Sequence, residues 1–206
     1  MKYVITIGRE YGSGGRFIAQ KLAEKLDIKF YDQNLINKAA EESGLSVSVF
    51  KNFDEKRDSI FSATPSFYSY DISLGQKVFL AQFDTIKKIA ATESCVIVGR
   101  CADYVLKDEP NLISIFICAP VEEKIKRVVD YYGISPEKAP NLIIKMDKKR
   151  KSYYNFYTDA EWGKARTYDL CINSKIGIDE TVDAIIAYIN AKFGNKNNWL
   201  FRIYCP

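Results

Sequence analysis

The chain has 206 residues, 47% of them hydrophobic and 27% charged, which fits one globular domain with a sizeable core. Its 30 basic and 26 acidic residues leave a formal charge of +4, too mild for the clustered basic face of a nucleic-acid binder but suited to a cleft for anions. There is no histidine, and the five cysteines (Cys95, Cys101, Cys118, Cys171, Cys205) form no C-x-x-C pair, which argues against a zinc site and against histidine-based catalysis.

The odd, scattered cysteines predict buried free thiols in a reducing cytosol. The run MKYVITIG reaches Gly8 and Arg9 too soon for a signal peptide, and no apolar stretch approaches the ~20 residues that span a bilayer. The expected localisation is cytoplasmic, with no membrane partner.

In chain order, residues 3–7 (YVITI) predict a buried strand ending at Gly8. A glycine-rich loop follows, Gly8-Arg9-Glu10-Tyr11-Gly12-Ser13-Gly14-Gly15-Arg16. Ile18, Leu22 and Leu26 then recur at helical spacing, with charged residues opposite. Residues 28–31 predict a second strand, ending at Asp32. Residues 33–58 read as helical but broken, with a cap at Ser46, and residues 59–73, around Pro65, as a loop or insertion. A helix is expected over 76–92, a strand over 95–100 (CVIVGR) and another over 112–119 (LISIFICA). Pro120 opens a helix running to Tyr131. A further helix spans 136–153, a last strand 169–173 (DLCIN) and a final helix 179–193. The tail from Asn195 reads as an edge strand or a packed extension. Five apolar strands alternating with helices predict an α/β fold: one parallel sheet covered on both faces, in three αβα layers.

In such a sheet ligands sit beyond the carboxyl ends of the strands. Four glycines between Gly8 and Gly15 let backbone amides turn toward an anion, and the next helix adds its positive N-terminal end. The same pattern also serves as a tight turn with no ligand. The loop departs from the Walker A form G-x-x-x-x-G-K-[ST]. Gly15 stands where the lysine belongs, and Phe17 falls near the magnesium-holding hydroxyl position. Arg16 is the nearest cation, and Ser13 is the one hydroxyl in the turn and hence the candidate metal ligand.

The segments GREYGSGGR, IAQKLAEKL and YDQNLI resemble the opening of the cytidylate-kinase-like family. The similarity continues through VIVGRCADYVL (96–106), ICAPVEEKIKRV (117–128), MDKKRKSYYNFYTDAEWG (146–163) and YDLCINSKIGIDETVDAII (168–186). The resemblance implies a single P-loop kinase domain over 1–206. It also implies an acceptor-binding helical insertion within 33–90, a lid over 146–166 and a C-terminal extension over 194–206. ATP and magnesium are the implied cofactors, nucleotides the implied partners, and cytidine or deoxycytidine monophosphate the implied acceptor.

By the same resemblance, Gly12, Ser13, Gly14, Gly15 and Arg16 would cradle the donor phosphates. Arg100 would grip the acceptor phosphate, while Asp32 and Asp103 would orient base or ribose or assist the attacking oxygen. Arg16, Arg127 and Arg150 would neutralise the transferring phosphoryl, arginine being always charged and able to bridge two phosphate oxygens. Asp147 would orient Arg150, and Arg166 is a further candidate. Asp32 reads equally well as a cap for the helix starting at Gln33. The basic run 148–151, mixed with Tyr153, Tyr154 and Tyr157, reads as a lid, a solvated face or a single-strand nucleic-acid surface. Two rival functions are a nucleotide-binding module without turnover and a kinase for another acceptor.

Overall fold

Five parallel strands form one sheet: β1 (Val4–Arg9), β2 (Lys29–Tyr31), β3 (Cys95–Val98), β4 (Leu112–Cys118) and β5 (Leu170–Asn173), in the order β2-β3-β1-β4-β5. The helices between them are α1 (Gly15–Leu26), α2 (Gln33–Ser43), α3 (Leu74–Thr92), α4 (Ala102–Val105), α5 (Val121–Tyr132), α6 (Ala139–Tyr157) and α7 (Ile178–Phe193). Short 3₁₀ turns precede and follow β5, at Ala165–Thr167 and Ser174–Ile176. The computed structural model describes residues 2–44, 46–49 and 74–194.

The central strand β1 pairs with β3 from Val4↔Cys95 to Ile7↔Val98, and with β4 from Val4↔Leu112 to Arg9↔Ile117. A central parallel strand is covered on both faces, which is why β1, β3 and β4 are apolar without alternation. On one face Ile5, Ile7, Val96, Val98, Ile113 and Ile115 pack against Ile18 and Leu22 of α1 and Val182 and Ile185 of α7. On the other, Val4, Cys95 and Ile97 meet Leu35 of α2, Ile86 and Ile89 of α3, and Val105 of α4. Full burial of each such isoleucine or leucine contributes about 1.5–3 kcal/mol, so the two packed faces fix where the strand ends stand. Burial also pushes the Cys95 thiol up to about 12, the mark of an inert core cysteine.

β1 runs two residues past its expected end, because Gly8 and Arg9 still pair with Phe116 and Ile117. The helix expected from Pro136 starts at Ala139, with Pro140 in its first turn, and continues to Tyr157. Gly44, at φ 70°, closes α2, and the Ser46 carbonyl accepts from the Val49 amide at 3.0 Å. The expected loop at 59–73, the tail from Asn195 and Cys205 lie outside the described residues. Among the described residues, no helix is long and apolar enough to cross a membrane.

Candidate active site

The turn after β1 is built tightly. Gly12 and Gly14 both take positive φ, at 78° and 77°, and a Cβ on Gly12 would stand 2.8 Å from the Lys124 carbonyl of α5. The helical ladder of α1 begins with the Ile18 amide donating to the Gly14 carbonyl at 3.0 Å, so the amides before it are the helix's N-terminal donors. Ser13 is fully buried, and its hydroxyl donates to the Glu10 carbonyl at 2.8 Å. The hydroxyl, the expected candidate metal ligand, closes the turn through that hydrogen bond. Phe17 packs at a tilt against Tyr131, with ring centroids 5.2 Å apart.

Behind the turn stands α5. Arg127 is 8% exposed, and its Nη1 donates to the Ser13 carbonyl (3.0 Å) and the Ser174 hydroxyl (2.9 Å). Its Nη2 donates to the Ser174 carbonyl at 2.7 Å. The Arg127 guanidinium, expected at the transferring phosphoryl, is bonded here to the back of the loop. Its spacing with Lys124 correctly put both on one face of α5, but that face meets the back of the loop. Lys124 Nζ bridges Glu10 (3.1 Å) and Asp147 (3.2 Å). Burial alone would lower the lysine, but its hydrogen bond to Glu10 and the charge of Asp147 raise it overall. Asp147 also accepts from the Tyr11 amide at 2.6 Å, tying α6 to the loop rather than orienting Arg150 alone.

In front of the turn, beyond the carboxyl ends of β1 and β3, lies a cleft of about 470 Å³. Five cations line it, Arg9, Arg16, Arg100, Lys149 and Arg150, against two carboxylates, Asp32 and Asp103. Tyr132, Tyr153, Tyr154, Trp162 and Tyr168 supply aromatic walls. The structure therefore brings together five residues singled out from sequence: Arg16, Asp32, Arg100, Asp103 and Arg150. Gly12, Ser13, Gly14 and Gly15 do not line the cleft; Gly12, Ser13 and Gly15 are buried, and the loop faces it through Gly8, Arg9 and Arg16. Arg166 lies exposed in the 3₁₀ turn before β5, away from the cleft wall.

Asp32 precedes α2 but makes no side-chain cap; its Oδ2 accepts from Arg16 Nε at 2.6 Å. Arg100 and Cys101 follow Gly99 in left-handed conformations, at φ 57° and 53°, each costing about 1–2 kcal/mol outside glycine. Such strain concentrates where a turn must aim a side chain. Burial raises the Asp103 carboxyl above the ordinary aspartate value, although the Tyr154 hydroxyl donates to it at 2.6 Å. Burial likewise raises the Tyr154 phenol, with the Asp103 charge adding to it.

Arg150 Nη1 donates to the Arg9 carbonyl at 3.0 Å, and its guanidinium lies 5.4 Å from the Tyr11 ring centroid. Burial lowers its basicity, opposed by Asp147, yet an arginine stays charged. Lys148 and Lys151 of the same run are exposed. Sequence reasoning passed over Arg9, Trp162 and Tyr168. The available signal for Arg9 was period two, which carries residues 5, 7 and 9 to one face of β1.

A strand, glycine turn and helix at the centre of a parallel 2-3-1-4-5 sheet, with a cationic cleft beyond the strand ends, define the P-loop kinase fold. A shikimate kinase from Bacteroides thetaiotaomicron shares this fold, with TM-score 0.55 and 13% identity over 91% of this chain and 98% of its own. The crystal structure of an uncharacterized protein from Eubacterium ventriosum is more similar: TM-score 0.71 and 38% identity, covering 92% of this chain and 99% of that one. Residues 4–176 match the cytidylate kinase-like family, and the chain belongs to that family. A cytidylate kinase from Thermococcus kodakarensis is 30% identical, covering 89% of this chain and 85% of the relative. Another from Pyrococcus horikoshii is 29% identical, over 90% and 86%.

Proposed function

We propose that the protein is a nucleotide phosphotransferase that moves the γ-phosphoryl group of ATP to a nucleoside monophosphate, cytidine or deoxycytidine monophosphate being the acceptor its family suggests. The observation that carries this reading is the convergence of five cations on one cleft beyond β1 and β3. Phosphoryl transfer asks for positioning and charge neutralisation rather than covalent help from side chains. Arg100 is the acceptor-phosphate group, and Asp103, held by Tyr154, orients the acceptor beside it. Asp32 fixes Arg16 at the mouth, from which Arg16 reaches the transferring phosphoryl. Arg150 approaches from α6.

Residues 146–166 act as the lid, since Met146, Lys149, Arg150, Tyr153, Tyr154 and Trp162 all contribute to the cleft wall. Closing such a lid excludes water and strengthens every electrostatic contact inside. The acceptor-binding insertion within 33–90 is carried by α2 and α3 in its described part. Magnesium would be held chiefly by the donor phosphates and water, since no group of three or more His, Cys, Asp or Glu side chains that could hold it occurs among the described residues. No step is assigned to the metal.

A coupled ADP-release assay across a panel of nucleoside monophosphates tests the reading. Turnover with cytidine monophosphate and its deoxy form, well above the others, is the expected result. Turnover with a different acceptor alone would transfer the site to another kinase class. Nucleotide binding with no turnover would favour a binding module, a reading that rests on the missing lysine and the inward Ser13 hydroxyl.

A further inference from the structure

We propose that Arg9, the last residue of β1, is the donor-phosphate cation of this chain and stands in for the lysine its loop lacks; the assignment rests on the phosphotransferase reading above. Alternation along β1 puts Arg9 on the face of Ile5 and Ile7, which α1 covers. An arginine there must leave the sheet between the strand end and the first turn of the helix. The side chain follows that path. A Cβ built on Gly15 would stand 2.6 Å from Arg9 Cβ and 3.1 Å from its Cγ. A Cβ on Gly99, at the end of β3, would fall on Arg9 Nη1 and lie 3.2 Å from Cζ. Two glycines on different elements thus open one channel for one side chain, and it delivers a guanidinium into the cleft.

This geometry accounts for the departure from the Walker A pattern. Gly15 occupies the lysine position, and a side chain there would collide with the stem of Arg9. Lysine from the helix and arginine from the strand exclude each other, so the cation has moved from one element to the other without leaving the cleft. Arg16 is paired with Asp32 at 2.6 Å and Arg127 is bonded to the back of the loop, whereas Arg9 issues from the strand end itself. A cation beside the positive N-terminal end of α1 makes a place where an anion between the two is favoured. A fork of donors, rather than an ammonium point charge, suits a polyphosphate with oxygens on two neighbouring phosphorus atoms.

The test is isothermal titration of the full chain with ATP and, separately, with cytidine monophosphate. Arg9→Met should lower ATP affinity by roughly 10- to 100-fold, as expected for a lost charge-assisted pair, and leave acceptor affinity unchanged. Its fold should survive, because the Arg150 bond goes to the Arg9 main chain. Arg9→Lys should fall between the two. Gly99→Ala, which displaces the guanidinium without removing it, should weaken ATP binding in the wild-type background. It should do nothing further in the Arg9→Met background, since contacting residues are non-additive. If Gly99→Ala does not fold, the two Arg9 variants decide alone. Equal ATP affinity in wild type and Arg9→Met overturns the assignment and leaves the kinase reading intact. A wild-type protein that binds no ATP removes both.

Discussion

The two sides of the loop after β1 use the same residue type for opposite purposes. Behind it, the Arg127 guanidinium is sealed against the Ser13 and Ser174 carbonyls and the Ser174 hydroxyl. In front, Arg9, Arg16, Arg100 and Arg150 line an open space. An arginine whose donors meet main-chain carbonyls in the interior holds structure. Four arginines around a cavity that holds two carboxylates, Asp32 and Asp103, give it an excess of positive charge that favours an anion. On the proposed reading the loop is fastened from behind by Arg127 and takes its ligand in front.

Substitutions on the two sides should separate stability from catalysis. The largest effect is expected at Arg150. Arg150→Ala should cut single-turnover transfer about 10²–10³-fold, the usual cost of one preorganised donor to a developing charge. Unchanged transfer would place the lid residue outside the chemistry. Arg127→Met comes next, with about 2–3 kcal/mol of stability lost by leaving buried carbonyls poorly satisfied. In a chain of this size that lowers Tm by roughly 2–4 °C per kcal/mol. Affinities of the folded fraction should not change; a collapsed rate at unchanged Tm would return Arg127 to the site. Arg100→Ala should lower acceptor affinity by about 1.5–3 kcal/mol, or roughly 10- to 100-fold, with ATP affinity intact.

The smallest effect concerns Asp103. Burial raises its folded-state pKa above the unfolded value, so the fold favours the neutral acid. Its stabilising contribution is complete below the unfolded aspartate pKa and is lost as pH rises through the folded value. Asp103→Asn keeps an acceptor for the Tyr154 hydroxyl and carries no charge. Thermal melts should therefore show the variant more stable than wild type at pH 7, with the difference closing as pH falls past the aspartate range. A variant less stable at pH 7 would mean that the carboxylate is structurally needed in its charged form. Acceptor affinity should fall in the same variant.

Much of this arrangement is legible in the sequence. The five apolar runs locate the strands, and residues just past a parallel strand face the carboxyl edge of the sheet, where Asp32, Arg100 and Asp103 line one cleft. The question over Asp32 needed coordinates, because a cap and an ion pair are both served by an aspartate before a helix. The bonds of Arg127 are not legible in the same way, because helical spacing shows which residues share a face but not what that face meets. Nor does composition say whether a turn's hydroxyl points out or closes the turn, as that of Ser13 does. Arg9 was within reach by alternation, but its significance lies in Gly15 and Gly99, two distant glycines whose common purpose appears only when the strand ends stand side by side.

The most direct test is a crystal structure of the protein with a bisubstrate analogue joining adenosine and cytidine through phosphates. The account predicts polyphosphate density in the cleft beyond β1 and β3, contacted by Arg9, Arg16, Arg100 and Arg150, with Arg127 still bonded to Ser13 and Ser174. Polyphosphate bound on another surface, or an Arg127 that has left those carbonyls to meet it, would contradict the division between the two sides of the loop.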